Sequence, residues 1–213
     1  MERLRLTEIF FSLQGETRTV GLPTVFVRLT GCPLRCQYCD TAYAFHGGTW
    51  YDIDDIVAEV KKYKVRYVTV TGGEPLAQKA CFSLLKRLCD EGYDVSLETS
   101  GAFDVSLVDT RVVKVVDIKT PGSKEVQKNC WDNLAHLLPK DQLKFVICDQ
   151  ADYVWAKEIL AQHHLNEVCD ILFSPSYQQI KPGDLADWIL QDQLPVRMQI
   201  QLHKYLWGEV AGR

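Results

Sequence analysis

The sequence predicts an α/β protein organised around a mostly parallel sheet. Apolar, β-rich runs alternate along the chain with segments whose apolar residues recur at helical spacing, which is typical of βαβ units. Several runs are almost continuously apolar, as expected for strands that are buried on both faces. A complete eightfold barrel typically needs about 250 residues. The 213 residues of this chain therefore favour an incomplete (partial) parallel β/α barrel or a doubly wound sheet.

The alternation assigns most of the chain to strands and helices. The predicted strands cover residues 24–29, 66–71, 94–99, 112–118, 143–148, 170–174 and 196–201. The predicted helices cover residues 52–62, 79–91, 151–163 and 183–191. No repeat, linker or low-complexity tract interrupts this pattern, so we expect a single domain over residues 1–213. Ligands of such sheets collect at the carboxyl ends of the strands, where the functional residues are expected.

Composition and charge exclude several classes of function. The chain has 24 Lys and Arg against 28 Asp and Glu, a net charge of −4, which argues against a generally basic nucleic-acid binder. No apolar run approaches the roughly 18 residues of a membrane span, and the first residues do not form a secretory signal. We therefore expect a cytoplasmic protein without a nucleic-acid or membrane partner. Its eight cysteines should then be reduced thiols or ligands.

A loop after the first predicted strand carries the strongest motif. Cys32, Cys36 and Cys39 have the spacing C-x-x-x-C-x-x-C, and thiolates suit zinc or an iron–sulfur cluster. A closed zinc site needs a fourth ligand, for which His46 is a candidate. A [4Fe–4S] cluster held by three cysteines instead leaves one iron open to a small molecule. The ring of Tyr38 beside the motif favours the cluster, because it can shield the cluster from solvent.

The remaining cysteines show no second tight grouping, so an auxiliary cluster is not expected. We interpret them as core or incidental thiols. They are Cys81, Cys89, Cys130, Cys148 and Cys169.

Polar or glycine-rich segments also follow other predicted strands. They are residues 71–75, 98–101, 117–122 and 174–177. Glycine at a strand end allows a ligand to approach the backbone closely, and the Asp-Ile-Lys segment would be costly to bury unless its charges are paired. Each segment can also be explained without a ligand, as a tight turn, a helix cap or a solvated loop.

The segment GCPLRCQYCD at residues 31–40 resembles the signature loop of the radical S-adenosylmethionine (SAM) superfamily. The resemblance implies a partial or full barrel, with a [4Fe–4S] cluster on the three cysteines and SAM on the fourth iron. Reduction then cleaves SAM to a 5′-deoxyadenosyl radical that abstracts a hydrogen atom. The GGE sequence at residues 72–74 resembles the superfamily motif that binds the amino group of SAM.

Within this superfamily, the two ends of the chain resemble the 7-carboxy-7-deazaguanine synthases. The segments that carry the resemblance are FFSLQGE at residues 10–16, CDT at 39–41 and QLHKYLW at 201–207. The resemblance implies a lyase that converts 6-carboxy-5,6,7,8-tetrahydropterin to 7-carboxy-7-deazaguanine with loss of ammonia, on the route to queuosine. It also implies Mg²⁺, regeneration of SAM, an electron donor such as flavodoxin or ferredoxin, and a homodimer.

The same resemblance assigns site residues. Thr41 matches the family's Mg²⁺ ligand, because Mg²⁺ can take waters and substrate oxygens for the rest of its octahedron. The implied substrate contacts are Leu13, Gln14, Gly15, Glu16, Arg28, Thr71, His203 and Arg213, with Arg28 rather than His203 or Lys204 as the first candidate for the substrate carboxylate. The implied SAM contacts are Gly73, Glu74, Glu98, Asp117, Ile118, Lys119, Ser174, Pro175, Ser176 and Tyr177, with Asp117-Ile118 standing where some relatives have Ser-Pro.

The sequence is also compatible with other interpretations. A glycyl-radical activating enzyme shares the cysteine loop and the size, but acts on a protein. A zinc-stabilised interaction domain would use the cysteines structurally. Arg28 could be a buried strand arginine paired with Glu16 or Asp40, and His203 and Tyr205 could pack the end of the last strand.

Overall fold

In the computed structural model, which describes residues 2–208, 210 and 212, nine strands form one sheet. The strands are β1 (Arg3–Leu13), β2 (Pro23–Leu29), β3 (Thr49–Asp52), β4 (Tyr67–Gly72), β5 (Asp94–Thr99), β6 (Val113–Ile118), β7 (Gln142–Ile147), β8 (Asp170–Pro175) and β9 (Arg197–Met198). The helices are α1 (Ile53–Lys61), α2 (Cys81–Asp90), α3 (Gln150–Gln162), α4 (Pro182–Gln191) and α5 (Leu202–Trp207).

The strand order is β3-β1-β2-β4-β5-β6-β7-β8-β9. From β2 to β9 all neighbouring pairs are parallel, whereas β1 and β3 add an antiparallel edge. Strands β3 and β9 are the two edges of the sheet and do not pair with each other in the described part of the chain. The predicted α/β class and incomplete barrel are confirmed.

The sequence does not predict β1, β3 or α5, and the strand it predicts over residues 196–201 is longer than β9. Strand β1 is an antiparallel strand with intermediate burial over much of its length, so it lacks the continuous apolar character of the central strands. Strand β3 has four residues and α5 has six, too few for a periodic pattern. Strand β9 keeps two of the six predicted residues, because the chain turns away to begin α5.

The core lies between the sheet and the helices. Ile56 and Val60 of α1 and Leu85 and Leu88 of α2 are almost completely buried and belong to the main hydrophobic cluster. Each fully buried side chain of this size contributes roughly 1.5–3 kcal/mol. Among the described residues no helix is both long and apolar enough to cross a membrane. The helices cover the buried strands, and the carboxyl ends of the strands are left to form a site.

A buried ion pair ties β6 to the loop before β7. Lys114 Nζ lies 2.8 Å from Asp141 Oδ2, and the two side chains are 3% and 0% exposed. The same carboxylate accepts hydrogen bonds from the backbone N–H groups of Lys114 and Leu138. Removing the ammonium would leave an uncompensated buried carboxylate.

Lys114→Met is expected to lower the free energy of unfolding by about 3–5 kcal/mol, because it breaks a buried pair by removing one partner. Urea unfolding of the variant and the parent measures the difference. Lys86→Met is the matched control, since Lys86 pairs with Asp90 on an exposed helix face and its loss should cost at most about 0.5 kcal/mol. Equal, small effects of the two substitutions would show that the Lys114–Asp141 pair does not stabilise the fold.

Candidate active site

A cavity of about 580 Å³ opens at the carboxyl ends of the parallel strands, a volume within the range of small-molecule sites. Most of the residues predicted to form the site line it. They are Leu13, Gln14, Gly15, Glu16, Arg28, Cys32, Cys36, Cys39, Thr41, Thr71, Gly73, Glu98, Asp117, Lys119, Ser174, Pro175, Ser176, Tyr177 and His203. Sequence motifs that are far apart in the chain therefore meet in one space.

Close backbone packing positions the cysteine loop. The N–H of Gly73 donates to the carbonyl of Leu29, and the N–H of Glu74 donates to the carbonyl of Gly31 at 2.8 Å. A Cβ on Gly73 would collide with the carbonyl of Gly31 and with the Cβ of Cys32. Glycine is thus required at this position because the end of β4 touches the start of the cysteine loop.

Two residues predicted to contact SAM have side chains that do not line the cavity. The carboxylate of Glu74 is fully buried and accepts hydrogen bonds from Thr99 Oγ1 at 2.9 Å and from the N–H of Ser100 at 2.7 Å. It therefore joins the ends of β4 and β5. The side chain of Ile118 packs in the hydrophobic core. Local partners bury both side chains, and the SAM contacts of Glu74 and Ile118 stay predictions.

The three cysteine thiols are half-buried around the cavity. Burial raises the pKa of Cys36 to about 11, and it also raises the pKa values of Cys32 and Cys39. An iron-bound thiolate must therefore displace a proton, as metal binding at cysteine generally does. The ammonium of Lys119 opposes the shift at all three thiols. Three thiols beside a cation and an open cavity fit a cluster that keeps one iron for a small-molecule ligand.

An ion pair stands next to these thiols. Lys119 Nζ lies 2.9 Å from Asp117 Oδ2. Burial alone would lower the pKa of Lys119, but the charge of Asp117 outweighs it and raises that pKa above its ordinary value. The other carboxylate oxygen, Asp117 Oδ1, is buried without a hydrogen-bond partner in the described residues. It is available to a ligand, as the assignment of Asp117 to SAM requires.

The segment that follows β1 forms the floor of the cavity. Gln14 Nε2 donates to Thr69 Oγ1 and to Glu98 Oε1, both at 3.2 Å. Farther along, the N–H of Thr17 donates to Gln199 Oε1 at 2.8 Å. The segment thus runs from β4 and β5 across the barrel to the side of β9. It does not follow the carboxyl end of a parallel strand, which is where the sequence motifs were expected.

Lys144 of β7 is a cavity residue that the sequence analysis missed. Its ammonium is paired with the carboxylate of Glu16. Burial would lower the pKa of Lys144, but the charge of Glu16 prevails and raises it. Burial and the nearby Glu16 charge raise the pKa of Glu98. The available signal was a lysine within the otherwise apolar run LKFVIC, since a charge in a buried strand needs a partner.

Asp40 connects the cysteine loop to the end of the chain. It accepts hydrogen bonds from Thr41 Oγ1 at 2.8 Å and from Gln201 Nε2 at 2.9 Å, and it lies 3.1 Å from Lys204 Nζ. Burial would raise the pKa of Asp40, but the charge of Lys204 and these hydrogen bonds hold it well below its usual range. The hydroxyl of Thr41 therefore lies beside a carboxylate that stays ionised.

Arg28 pairs with a residue that the sequence did not indicate. Its Nε donates to Glu8 Oε1 at 2.8 Å, not to Glu16 or Asp40. Glu16 is paired with Lys144 instead, and Asp40 is paired with Lys204. Glu8 can be recognised as the partner of Arg28 only once β1 is known, because that strand places Glu8 directly opposite Arg28.

The remaining predictions concern the end of the chain. His203 lies in α5 and lines the cavity, and a Cβ on Gly15 would collide with its ring. Burial lowers the pKa of His203, which favours the neutral imidazole. Tyr205 is 80% exposed, so it does not pack against the last strand. Arg213 lies outside the described residues.

The zinc alternative gains no support from the geometry. His46 is exposed and does not line the cavity. The cysteines outside the motif are free thiols, and all except the partly buried Cys130 are buried. Cys148 and Cys169 immediately flank β7 and β8 rather than lying within them.

Comparisons with known proteins agree with this site. The model of the radical SAM superfamily matches residues 26–113. The crystal structure of QueE from Escherichia coli is similar in fold, with a TM-score of 0.78 at 23% identity over 94% of this chain and 95% of that chain. Streptococcus suis SuiB, in a structure bound to S-adenosylmethionine, gives a TM-score of 0.54 over 80% of this chain and 44% of that chain.

Curated relatives extend the similarity to nearly the whole sequence. A 7-carboxy-7-deazaguanine synthase from Chlorobaculum tepidum is 46% identical, over 98% of this chain and 96% of its own length. A second, from Koribacter versatilis, is 44% identical over 96% of this chain and 97% of its own. With its cysteine loop, its glycine-rich strand end and its terminal motifs in one cavity, this chain belongs to the 7-carboxy-7-deazaguanine synthase family of radical SAM enzymes.

Proposed function

We propose that this chain is a carbon–nitrogen lyase that converts 6-carboxy-5,6,7,8-tetrahydropterin to 7-carboxy-7-deazaguanine with loss of ammonia, on the route to queuosine. The observation that carries the proposal is the shared cavity, which is lined both by the three cysteines and by polar groups suited to a carboxylated pterin. The names of its relatives support the product. One continuous sheet supports a single domain.

The cofactors of the family are the [4Fe–4S] cluster and SAM, and Cys32, Cys36 and Cys39 would hold the cluster. When bound, they supply the 5′-deoxyadenosyl radical that removes a hydrogen atom from C6 of the substrate. This chain's own contribution is to hold SAM against the cluster. Gly73, Asp117 and the segment 174–177 line the cavity near the cysteine loop, and the free Asp117 Oδ1 offers an acceptor.

The floor of the cavity suits the pterin ring. A pterin presents ring N–H and amino donors along one edge, which carboxylate oxygens bind well. Glu16 Oε2 is held by Lys144, whereas Glu16 Oε1 is buried and has no hydrogen-bond partner in the described residues. Gln14 Nε2 and Thr71 Oγ1 each donate a hydrogen bond to the carboxylate of Glu98. These groups would orient the ring and exclude water from it.

The substrate carboxylate requires a cation with free donors. Lys119, Lys144 and Lys204 are each paired with a carboxylate, as Arg28 is with Glu8. Burial lowers the pKa of His203, which disfavours its cationic form. Arg28 makes one hydrogen bond through Nε and none through its terminal nitrogens to the described residues. Its guanidinium can therefore form the bidentate pair that carboxylates favour.

We place Mg²⁺ at Thr41, whose hydroxyl donates its proton to Asp40 Oδ1 and so keeps its oxygen lone pairs for a cation. Mg²⁺ retains several waters and accepts few protein ligands. The reaction needs an external one-electron donor, which we propose is a flavodoxin or a ferredoxin, and we propose a homodimer. The eight cysteines are all free thiols, which suits a reducing cytoplasm.

The anaerobic enzyme with SAM, reductant, Mg²⁺ and 6-carboxy-5,6,7,8-tetrahydropterin is expected to release 7-carboxy-7-deazaguanine and an equal amount of ammonia. Liquid chromatography with mass detection follows the product, and reactions without SAM or reductant serve as controls. A reaction that yields no deazaguanine, but places a stable radical on an added protein, would favour a glycyl-radical activating enzyme instead.

Cys36→Ala is expected to abolish the brown colour of anaerobically prepared protein and to remove most of its iron and sulfide, because a cluster ligand is lost. Metal and sulfide analysis measures the effect. Cys130→Ala is the matched control, since Cys130 does not line the cavity and should leave the cluster intact. Colourless parent protein with one tightly held zinc would contradict the assignment.

Thr41→Ala is expected to lower turnover at limiting Mg²⁺ severalfold, because it removes a hydroxyl ligand from a site with few protein ligands. Turnover titrated with Mg²⁺ measures the change, while the visible spectrum of the cluster should stay the same. Thr41→Ser keeps the hydroxyl and should respond to Mg²⁺ like the parent. Identical Mg²⁺ curves for the alanine variant and the parent would remove Thr41 from the cation site.

A further inference from the structure

The guanidinium of Arg28 has three close neighbours, Glu8, Phe10 and Tyr43. Its Nε donates to Glu8 Oε1 at 2.8 Å. The ring centroid of Phe10 lies 5.4 Å from its central carbon, and that of Tyr43 lies 5.9 Å away. Phe10 is itself stacked on Phe26, with the ring centroids 4.9 Å apart. The Arg28 side chain is only 16% exposed, so its orientation is determined by these neighbours.

Tyr43 completes the arrangement through its hydroxyl. Tyr43 Oη donates to Glu8 Oε1 at 2.8 Å, the same oxygen that accepts from Arg28. A tyrosine hydroxyl keeps its proton at neutral pH, so it remains a donor. One carboxylate oxygen thus receives two hydrogen bonds and fixes the arginine and the tyrosine relative to each other.

An irregularity in β1 creates the pairing. Leu6 lies opposite Leu29, but Glu8 lies opposite Arg28, so the register shifts by one residue at Thr7. Bulges of this kind redirect side chains and occur often beside active sites. With this register, the Glu8 and Arg28 side chains share the face of the sheet that borders the cavity. The pair therefore depends on a local departure from regular strand geometry.

From this geometry, we propose that Glu8 and Tyr43 are positioning residues that hold Arg28 as a bidentate clamp for the substrate carboxylate. The proposal rests on the function proposed above. Because Glu8 engages Nε, both terminal nitrogens of Arg28 are left to form two parallel hydrogen bonds with one carboxylate. The neighbouring rings of Phe10 and Tyr43 limit rotation of the guanidinium, so less side-chain freedom is lost when the substrate binds.

The test compares two ligands that differ by the carboxyl group. The holoenzyme, with cluster and SAM, is dialysed anaerobically against 6-carboxypterin or against pterin, and the free ligand is measured by fluorescence. The parent should bind 6-carboxypterin more tightly than pterin. Glu8→Ala should reduce that preference by about tenfold or more, because a charge-assisted hydrogen bond is lost, without changing the affinity for pterin. Tyr43→Phe should reduce it less.

Two further variants separate positioning from general damage. Glu8→Gln keeps an oxygen that can accept from Arg28 Nε, so it should restore most of the preference. Asp52→Ala removes the carboxylate of the exposed Arg3–Asp52 pair at the other end of β1 and should leave the preference unchanged. Cluster content and thermal unfolding establish that each variant is folded.

The outcomes distinguish the two proposals. A parent enzyme that does not prefer 6-carboxypterin over pterin would overturn the proposed function and this inference with it. A parent that prefers 6-carboxypterin, with the full preference retained in Glu8→Ala and Tyr43→Phe, would overturn the positioning role alone. Equal loss of affinity for both ligands in a folded Glu8→Ala variant would also overturn it, because that result would indicate general damage to the cavity.

Discussion

Pairing of buried charges is the constraint on which the interior of this barrel depends. A charge removed from water costs several kcal/mol unless a partner compensates it, and several charged side chains point into the cavity. Lys144 pairs with Glu16, and Lys119 pairs with Asp117. Lys144 lies on β7, whereas Glu16 belongs to the segment after β1, so their pair also fixes the floor of the cavity against the opposite wall. The ion pairs that compensate these buried charges are therefore also tertiary contacts that hold the barrel together.

The pairing also determines which groups remain for ligands. Each engaged carboxylate has a second oxygen, and those of Glu16 and Asp117 are buried without a partner among the described residues. Arg28 likewise uses one of its nitrogens within the protein. A ligand can therefore be recognised without breaking any of the internal pairs. Because unpaired buried polar atoms are costly, a molecule that lacks the matching groups would leave them unsatisfied, which is a source of specificity.

The parts of the structure that the sequence predicts are those determined by local pattern. The central parallel strands are apolar on both faces, and the cysteine loop is a contiguous motif, so both can be predicted from the sequence. Strand β1 shows only weak alternation of buried and exposed residues, so the sequence does not predict it. Glu8 lies on this strand, and its partner Arg28 is 20 residues away, so their pairing is not predicted either. The Lys144–Glu16 pair spans 128 residues. No local pattern specifies such partners, although a charge within an apolar strand indicates that one must exist.

The last helix links the two halves of the cavity. The N–H of Leu202 donates to the carbonyl of Gly15 on the floor, while Gln201 and Lys204 contact Asp40, next to Cys39. A six-residue helix is too short to be stable alone in water, so α5 depends on tertiary contacts of this kind. A displacement of the floor segment would therefore weaken the contacts that Gln201 and Lys204 make with Asp40. The floor of the cavity and the loop that carries the cysteines and Thr41 are in this way mechanically coupled through α5.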